Sequence, residues 1–245
     1  MQENINNFFI LDEPDRKRVG KRTYWVNLAN KIFEKLKLSH RLKRLPDPNT
    51  DMNSIEMRIN LFHLISMIIN EKTEGEVVEF GTYLGETAIL IQKTLNYLGS
   101  DKELHVYDTF DVKFSEFSSS VEEEMKKSFL SYNLQLPIIH KGFFEDTFPT
   151  GLPEKIAFAH IDCGILDDAE KHKEVMLYCL ESLYPKLSKG GICVFMDYVD
   201  ERNHKYARST NPGVKMACDI FFKDKPEKII SLCANEGSHA YFKKI

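Results

Sequence analysis

A short run, Val77-Val78-Glu79-Phe80, is followed at once by Gly81-Thr82-Tyr83-Leu84-Gly85 and then by the helix-spaced residues Thr87–Leu98. No other stretch constrains the fold as much. The run is too short for a buried helix and suits a strand covered on both faces. The two glycines frame a tight turn and let the backbone approach a ligand closely. The helix behind the turn offers free N–H groups at its start. A strand, a glycine turn and a helix in this order are the opening of a βαβ unit.

The pattern repeats downstream. Strands are expected at Leu104–Asp108, Pro137–Lys141, Ile156–Asp162 and Ile192–Asp197, the last led in by Gly190-Gly191. Helices are expected at about Ser120–Tyr132, Lys171–Leu187 and Val214–Phe222. Strands alternating with helices predict an α/β fold, a Rossmann-like, mostly parallel sheet with helices on both faces. The runs Lys228–Cys233 and His239–Lys243 are separated by too few residues for a parallel crossover, so they predict an antiparallel C-terminal hairpin.

Upstream, Trp25, Leu28, Ala29, Ile32, Phe33 and Leu36 recur at helical spacing. A second helix is expected from about Ser54 to Asn70, with Ile55, Ile59, Phe62, Ile65 and Ile69 inward. Between them Leu45-Pro46-Asp47-Pro48-Asn49-Thr50 breaks the pattern. The domain reading is a helical extension over 1–49 and a larger domain over 50–245.

Charge supports that boundary. Residues 1–50 hold 11 Lys and Arg against 6 Asp and Glu, while the whole 245-residue chain has a formal charge of -4. A basic leader therefore precedes an acidic body. It lacks an aromatic-rich nucleic-acid module, so a lid or an assembly arm is the better expectation, with no nucleic-acid partner. The longest apolar-looking stretch, Leu61–Ile69, is far short of the roughly 20 residues that span a bilayer. No membrane partner is expected. The five cysteines include no CxxC pair. An odd, scattered set in a chain this large predicts buried free thiols in a reducing, cytoplasmic setting.

The chemistry gathers at strand ends. Glu79 closes the first strand ahead of Gly81 and Gly85, and Asp108 closes the second. An acid at the second position suits the hydroxyls of a ribose. Together they predict a nucleoside-bearing cofactor at the carboxyl ends of the strands. The GxGxxG spacing of a nicotinamide turn is absent, and the spacing found here suits S-adenosylmethionine better.

These residues resemble the class I S-adenosylmethionine-dependent methyltransferases, and more narrowly the TylF/MycF type, the macrocin O-methyltransferase family. The likeness runs from about Thr50 to Phe222. It is carried by Thr50–Arg58, Val78–Gly85, Tyr107–Phe110, Gly142–Pro149, His160-Ile161-Asp162, Leu183–Gly191, Asp197-Tyr198 and Pro212–Lys215. It implies that Glu79, Gly81, Tyr83, Gly85 and Thr87 hold the methionine part of the cofactor and that Asp108 holds the ribose. Thr109, Phe110, Gly142 and Phe143 would enclose the adenine, and Met52 and Ser54 would close the pocket. Asp162 would border the cofactor and take part in catalysis.

The family also implies a magnesium ion held by an Asp after the fourth strand and an Asp-Asp pair after the fifth. Here Asp162 matches the first site, but the pair reads Met196-Asp197, so Asp197 alone survives of it. The family's expected base falls on Gly164. Asp168, Asp167, Glu170, His172 and His160 are the remaining candidates. Asp167 and Asp168 equally suit a helix N-cap, and His160 a hydrogen-bonded core histidine.

The expected function is O-methyl transfer to a hydroxyl of a small molecule, a sugar or glycosylated natural product, by a homo-oligomer. A non-catalytic cofactor binder and an NAD(P)-dependent oxidoreductase are the alternatives.

Overall fold

The computed structural model describes residues 21–38, 40, 42, 53–112, 119–163, 168–200, 211–234 and 237–245. The chain divides into two compact units, residues 1–52 and 53–245. In the first, α1 (Lys21–Lys35) forms where the apolar spacing predicts a helix. Asn30 secures the chain beyond it. Its Nδ2 donates to the Leu42 carbonyl at 2.9 Å, and its Oδ1 accepts from the Leu42 N–H at 2.7 Å.

The second unit runs α2 (Ile55–Asn70), β1 (Glu76–Phe80), α3 (Glu86–Tyr97), β2 (Leu104–Asp108), α4 (Val121–Ser131), β3 (Ile138–Lys141) and α5 (Phe144–Gly151). It continues with β4 (Ile156–Ile161), α6 (Ala169–Leu183), β5 (Leu187–Met196), α7 (Gly213–Phe221), β6 (Ile230–Ala234) and β7 (Gly237–Lys243). The seven strands form one sheet in the order β3-β2-β1-β4-β5-β7-β6. β1 pairs in parallel with β2 and β4, β2 with β3, and β4 with β5. β7 is antiparallel to both β5 and β6. This is the mostly parallel sheet with a C-terminal hairpin that the sequence predicts.

After β3 the chain crosses to the far side of β1 and returns as β4. The carboxyl ends of β1 and β4 therefore flank the point where strand order reverses, the usual ligand crevice of an open α/β sheet. Alternation along the strands sorts the core into two layers. Val78, Phe80, Tyr107, Ile161 and Phe195 pack with Met176 and Leu180 of α6 and with Val214 and Ala217 of α7. Val77, Val106, Phe158 and Val194 pack with Leu61, Ile65 and Ile68 of α2 and with Ile89 and Ile91 of α3. Glu79 and His160 fall on the second face, two residues beyond Val77 and Phe158.

Local signals set several boundaries. Ser120 and Glu123 form a reciprocal capping box at the start of α4, which contributes about 1 kcal/mol. α6 stops at Leu183 rather than running to Leu187, and β5 begins at Leu187, five residues before the expected start. The sequence Leu187-Ser188-Lys189 has too little periodicity to separate a helix end from a strand start. The Gly190 backbone takes φ +81° inside β5, so the glycine bends the strand instead of preceding it. α5 was not anticipated, because Pro149 lies inside it and Gly151 ends it. α2 buries Met57, Leu61, Leu64, Ile65 and Ile68. Of the five inward positions expected, only Ile65 is fully buried. Glu56, Asn60, His63, Ser66 and Asn70 gather on one side of the helix, and the buried residues lie opposite them, so the polar residues mark the buried face better than the isoleucine spacing does.

Cys163, Cys179, Cys193 and Cys218 are free and buried, as expected of these thiols. No helix among the described residues is long and apolar enough to cross a membrane.

Candidate functional site

The turn after β1 is held by close backbone packing. Gly81 has φ +83°, and a Cβ there would lie 2.0 Å from the Asp162 carbonyl oxygen. Only hydrogen fits where the ends of β1 and β4 meet. The Gly81 N–H donates to the Tyr107 carbonyl at 2.9 Å, and the Asp162 N–H to the Phe80 carbonyl at 2.8 Å. Gly85 is the N-cap of α3 in a left-handed conformation. A Cβ on it would lie 2.6 Å from Met125 Cγ.

Asp108 braces this turn. Its Oδ2 accepts from the N–H groups of Thr82 at 2.7 Å and Tyr83 at 2.8 Å, and its Oδ1 accepts from the Phe110 N–H at 2.7 Å. A carboxylate offers about four acceptor sites, so roughly one stays open on Oδ1. That suffices for one ribose hydroxyl; taking both requires release of one backbone N–H. Sequence reasoning placed Asp108 at the ribose but missed its hold on the turn.

Behind the turn lies a buried polar group. Glu79 is 1% exposed and His160 0%. They are register partners on β1 and β4, and His160 Nδ1 lies 3.1 Å from Glu79 Oε1. Glu79 Oε2, Thr82 Oγ1 and His160 Nε2 are buried with no hydrogen-bond partner among the described residues. Withdrawal from water pushes the Glu79 carboxyl above its ordinary value, against the opposing hydrogen bond from His160. Unpaired buried polar atoms are costly, and a cluster of them at a strand-order switch marks a place for a polar ligand.

Asp162, two residues after His160, is exposed. Desolvation pushes its carboxyl up to about 7. His160 opposes the shift, while the carboxylates of Asp197, Glu79 and Asp108 add to it. Asp197 follows β5 in a left-handed conformation, φ 57°. Its Oδ2 accepts from Asn211 Nδ2 at 2.5 Å.

The other expected site residues fall as follows. Ser54 caps α2, its Oγ accepting from the Met57 N–H at 3.2 Å. Thr87 is buried, and its Oγ1 accepts from Asn53 Nδ2 at 2.8 Å. Asn53 thus ties the start of α2 to the first turn of α3, a contact that sequence spacing does not reveal. Tyr83 has φ 49° and is half-buried. Thr109 is half-buried. The Phe110 ring lies in the core. Gly142 (φ +143°) donates its N–H to the Asp108 carbonyl at 3.1 Å, and Phe143 beside it is 67% exposed at the N-cap of α5.

Asp168 caps α6, its Oδ1 accepting from the Glu170 and Lys171 N–H groups. His172 is buried, and its Nε2 donates to the Cys163 carbonyl at 2.6 Å. Met52, Gly164 and Asp167 lie outside the described residues.

Among the described residues no three His, Cys, Asp or Glu side chains come together as a metal cluster. Met196, in place of the first acid of the family's pair, packs against Met57. The carboxylates that would be left for a metal are Asp162 and Asp197, the second close enough to raise the charging cost of the first. Magnesium accepts oxygen ligands and keeps several waters, so two carboxylates fit it. A separate cavity of about 570 Å³ lies at the opposite, amino ends of the strands, lined by Glu71, Lys72, Thr73, Lys155 and Lys186 among others. Its charges are largely paired, as Lys155 is with Glu74 and Lys243 with Glu71.

This sheet order, with an acid–glycine turn at the β1/β4 switch and a second acid ending β2, defines the class I S-adenosylmethionine-dependent methyltransferase fold. Solved structures agree at the level of fold. The O-methyltransferase NovP superposes with a TM-score of 0.63 at 22% identity, covering 91% of this chain and 98% of that one. The S-adenosylhomocysteine-bound methyltransferase PaMTH1 of Podospora anserina gives 0.54 at 13% identity, covering 93% and 98%. In sequence, the demethyldecarbamoylnovobiocin O-methyltransferase of Streptomyces niveus is 26% identical over 170 residues. That alignment covers 60% of this chain and 62% of the relative, so it spans less than two thirds of the relative's length. The macrocin O-methyltransferase (TylF) family matches residues 43–211. The chain belongs to that family.

Proposed function

We propose that this chain is an S-adenosylmethionine-dependent O-methyltransferase acting on a hydroxyl of a small-molecule natural product. The observation that carries the reading is the convergence of Glu79, the Gly81–Gly85 turn, Asp108 and Asp162 on one crevice, within the segment matched by the family. The relative named for O-methylation of demethyldecarbamoylnovobiocin supports an acceptor of natural-product type. The same family membership favours methyl transfer over hydride transfer.

In this reading Glu79 faces the positively charged amino-acid end of the cofactor. The α3 N-terminus behind Gly85 offers N–H groups to the carboxylate of that end. Asp108 takes a ribose hydroxyl on Oδ1, and the exposed Phe143 ring supplies a wall for the adenine. In the reaction the sulfonium S–CH3 bond breaks as the acceptor O–CH3 bond forms, and the sulfur keeps the electron pair. The acceptor's proton goes to a base. With no metal bound, Asp162, its carboxyl pushed up to about 7, is suited to hold that proton at neutral pH. Alignment of oxygen, methyl carbon and sulfur supplies much of the rate.

Asp162 and Asp197 would also hold magnesium. When bound, the ion supplies orientation of neighbouring acceptor hydroxyls and a lowered pKa for the attacking one.

Labelled S-adenosylmethionine with a panel of hydroxylated glycosides and phenols tests the reading, with and without a chelator. Acceptor-dependent release of S-adenosylhomocysteine is expected. Cofactor binding without turnover on any acceptor would instead favour the non-catalytic alternative. Turnover unaffected by chelation would remove magnesium from the account.

A further inference from the structure

We infer that His160 is a positioning residue for the cofactor's amino-acid end, acting through Glu79, and not the base of the reaction. The inference rests on the proposed cofactor site. His160 is fully buried in β4, so it does not meet an acceptor molecule in the crevice. Among the described residues its one side-chain hydrogen bond is from Nδ1 to Glu79 Oε1 at 3.1 Å. Carboxylate oxygens only accept when ionised, so the ring is the donor. The other ring nitrogen, Nε2, is buried and makes no hydrogen bond among the described residues.

The consequence falls on Glu79. One carboxylate oxygen is tied to the ring across the β1/β4 register, and the other, Oε2, lies buried in the same site as the Thr82 hydroxyl, which favours the charged carboxylate. A carboxylate fixed in this way presents a single charged acceptor at the turn. The ligand group that matches it is a cationic donor. In an S-adenosyl cofactor that is the α-ammonium, with Thr82 Oγ1 as a second acceptor. His160 thus orients an acceptor, and its effect belongs to cofactor affinity and not to proton transfer.

Asparagine places an amide nitrogen close to the position of the imidazole Nδ1, whereas leucine has no donor. The test measures calorimetric affinity for S-adenosylhomocysteine and for 5′-methylthioadenosine, which keeps the nucleoside and lacks the amino acid. His160→Leu is expected to weaken S-adenosylhomocysteine by about 30-fold, within the range of one hydrogen bond to a charged group. It should leave 5′-methylthioadenosine within about 3-fold, and His160→Asn should restore most of the loss. At saturating cofactor, kcat of the Asn variant should match wild type across the pH profile. If the Leu variant does not fold, His160→Gln takes its place with the same expected loss, because its amide lies one bond further out.

Equal losses for both ligands would reduce His160 to general structure and overturn the inference. So would unchanged S-adenosylhomocysteine affinity in a folded Leu or Gln variant. A kcat loss with cofactor affinity intact would return His160 to the role of base. Failure of the wild-type protein to bind S-adenosylhomocysteine at all would overturn the cofactor site first, and this inference with it.

Discussion

Asp108→Ala separates two functions of one carboxylate. In the cofactor-free protein the side chain accepts three backbone N–H bonds, from Thr82, Tyr83 and Phe110. These donors border an open crevice, so water replaces part of what is lost. A net of about 1 kcal/mol for each bond gives about 3 kcal/mol of destabilisation. For a domain of this size that lowers Tm by about 6–12 °C. Differential scanning calorimetry of the cofactor-free protein measures it directly. Affinity for S-adenosylhomocysteine falls as well, through loss of the ribose acceptor and of a pre-formed turn. A Tm lowered by less than about 2 °C in the free protein would refute the bracing role. Lowered Tm with unchanged affinity would take Asp108 out of the ribose site.

Two further outcomes are expected. Gly81→Ala places a methyl group 2.0 Å from the Asp162 carbonyl oxygen at a φ of +83°, and both effects destabilise. A loss of at least about 3 kcal/mol in urea denaturation is expected, so a near-wild-type midpoint would show that β1 and β4 do not meet as described. Asp162 provides a pH signature. Its folded carboxyl titrates near 7, above the ordinary value of 3.8. Between those values the folded state holds a proton that the unfolded state has lost. Its contribution to stability is therefore present below about pH 4 and disappears as pH rises through 7. Asp162→Asn should flatten that part of the Tm–pH curve in metal-free buffer, and parallel curves would contradict the shift.

The legible parts of this fold were those where pattern and chemistry agree over short distances. Val77–Phe80 and Leu104–Asp108 are apolar runs ending in a turn, and their register with helices follows from connection length. The helix expected from about Ser120 starts there, and the structure adds the Ser120–Glu123 capping box. The face that α2 buries lies opposite its cluster of Glu56, Asn60, His63, Ser66 and Asn70, and isoleucine spacing alone points elsewhere because apolar residues also flank that cluster. The other parts that escaped depend on partners distant in sequence. α5 forms around Pro149 because Phe144 and Phe148 pack onto Phe80. At the site, residue types at strand ends were visible, but the Glu79–His160 pair exists only through β1/β4 register across 81 positions. Asp168 and His172 have the chemistry of bases, and the structure engages both in local hydrogen bonds. Met196 was visible as a departure from the acidic pair; its packing on Met57 was not.

The central claim is that the crevice between β1 and β4 is built for an S-adenosyl cofactor. Titration calorimetry of the folded wild-type protein with S-adenosylhomocysteine, run beside NADH, tests it most directly. The account predicts one saturable site for S-adenosylhomocysteine, weakened by Asp108→Ala, and no site for NADH. Absence of S-adenosylhomocysteine binding in a protein shown to be folded, or equal binding of NADH, would contradict it.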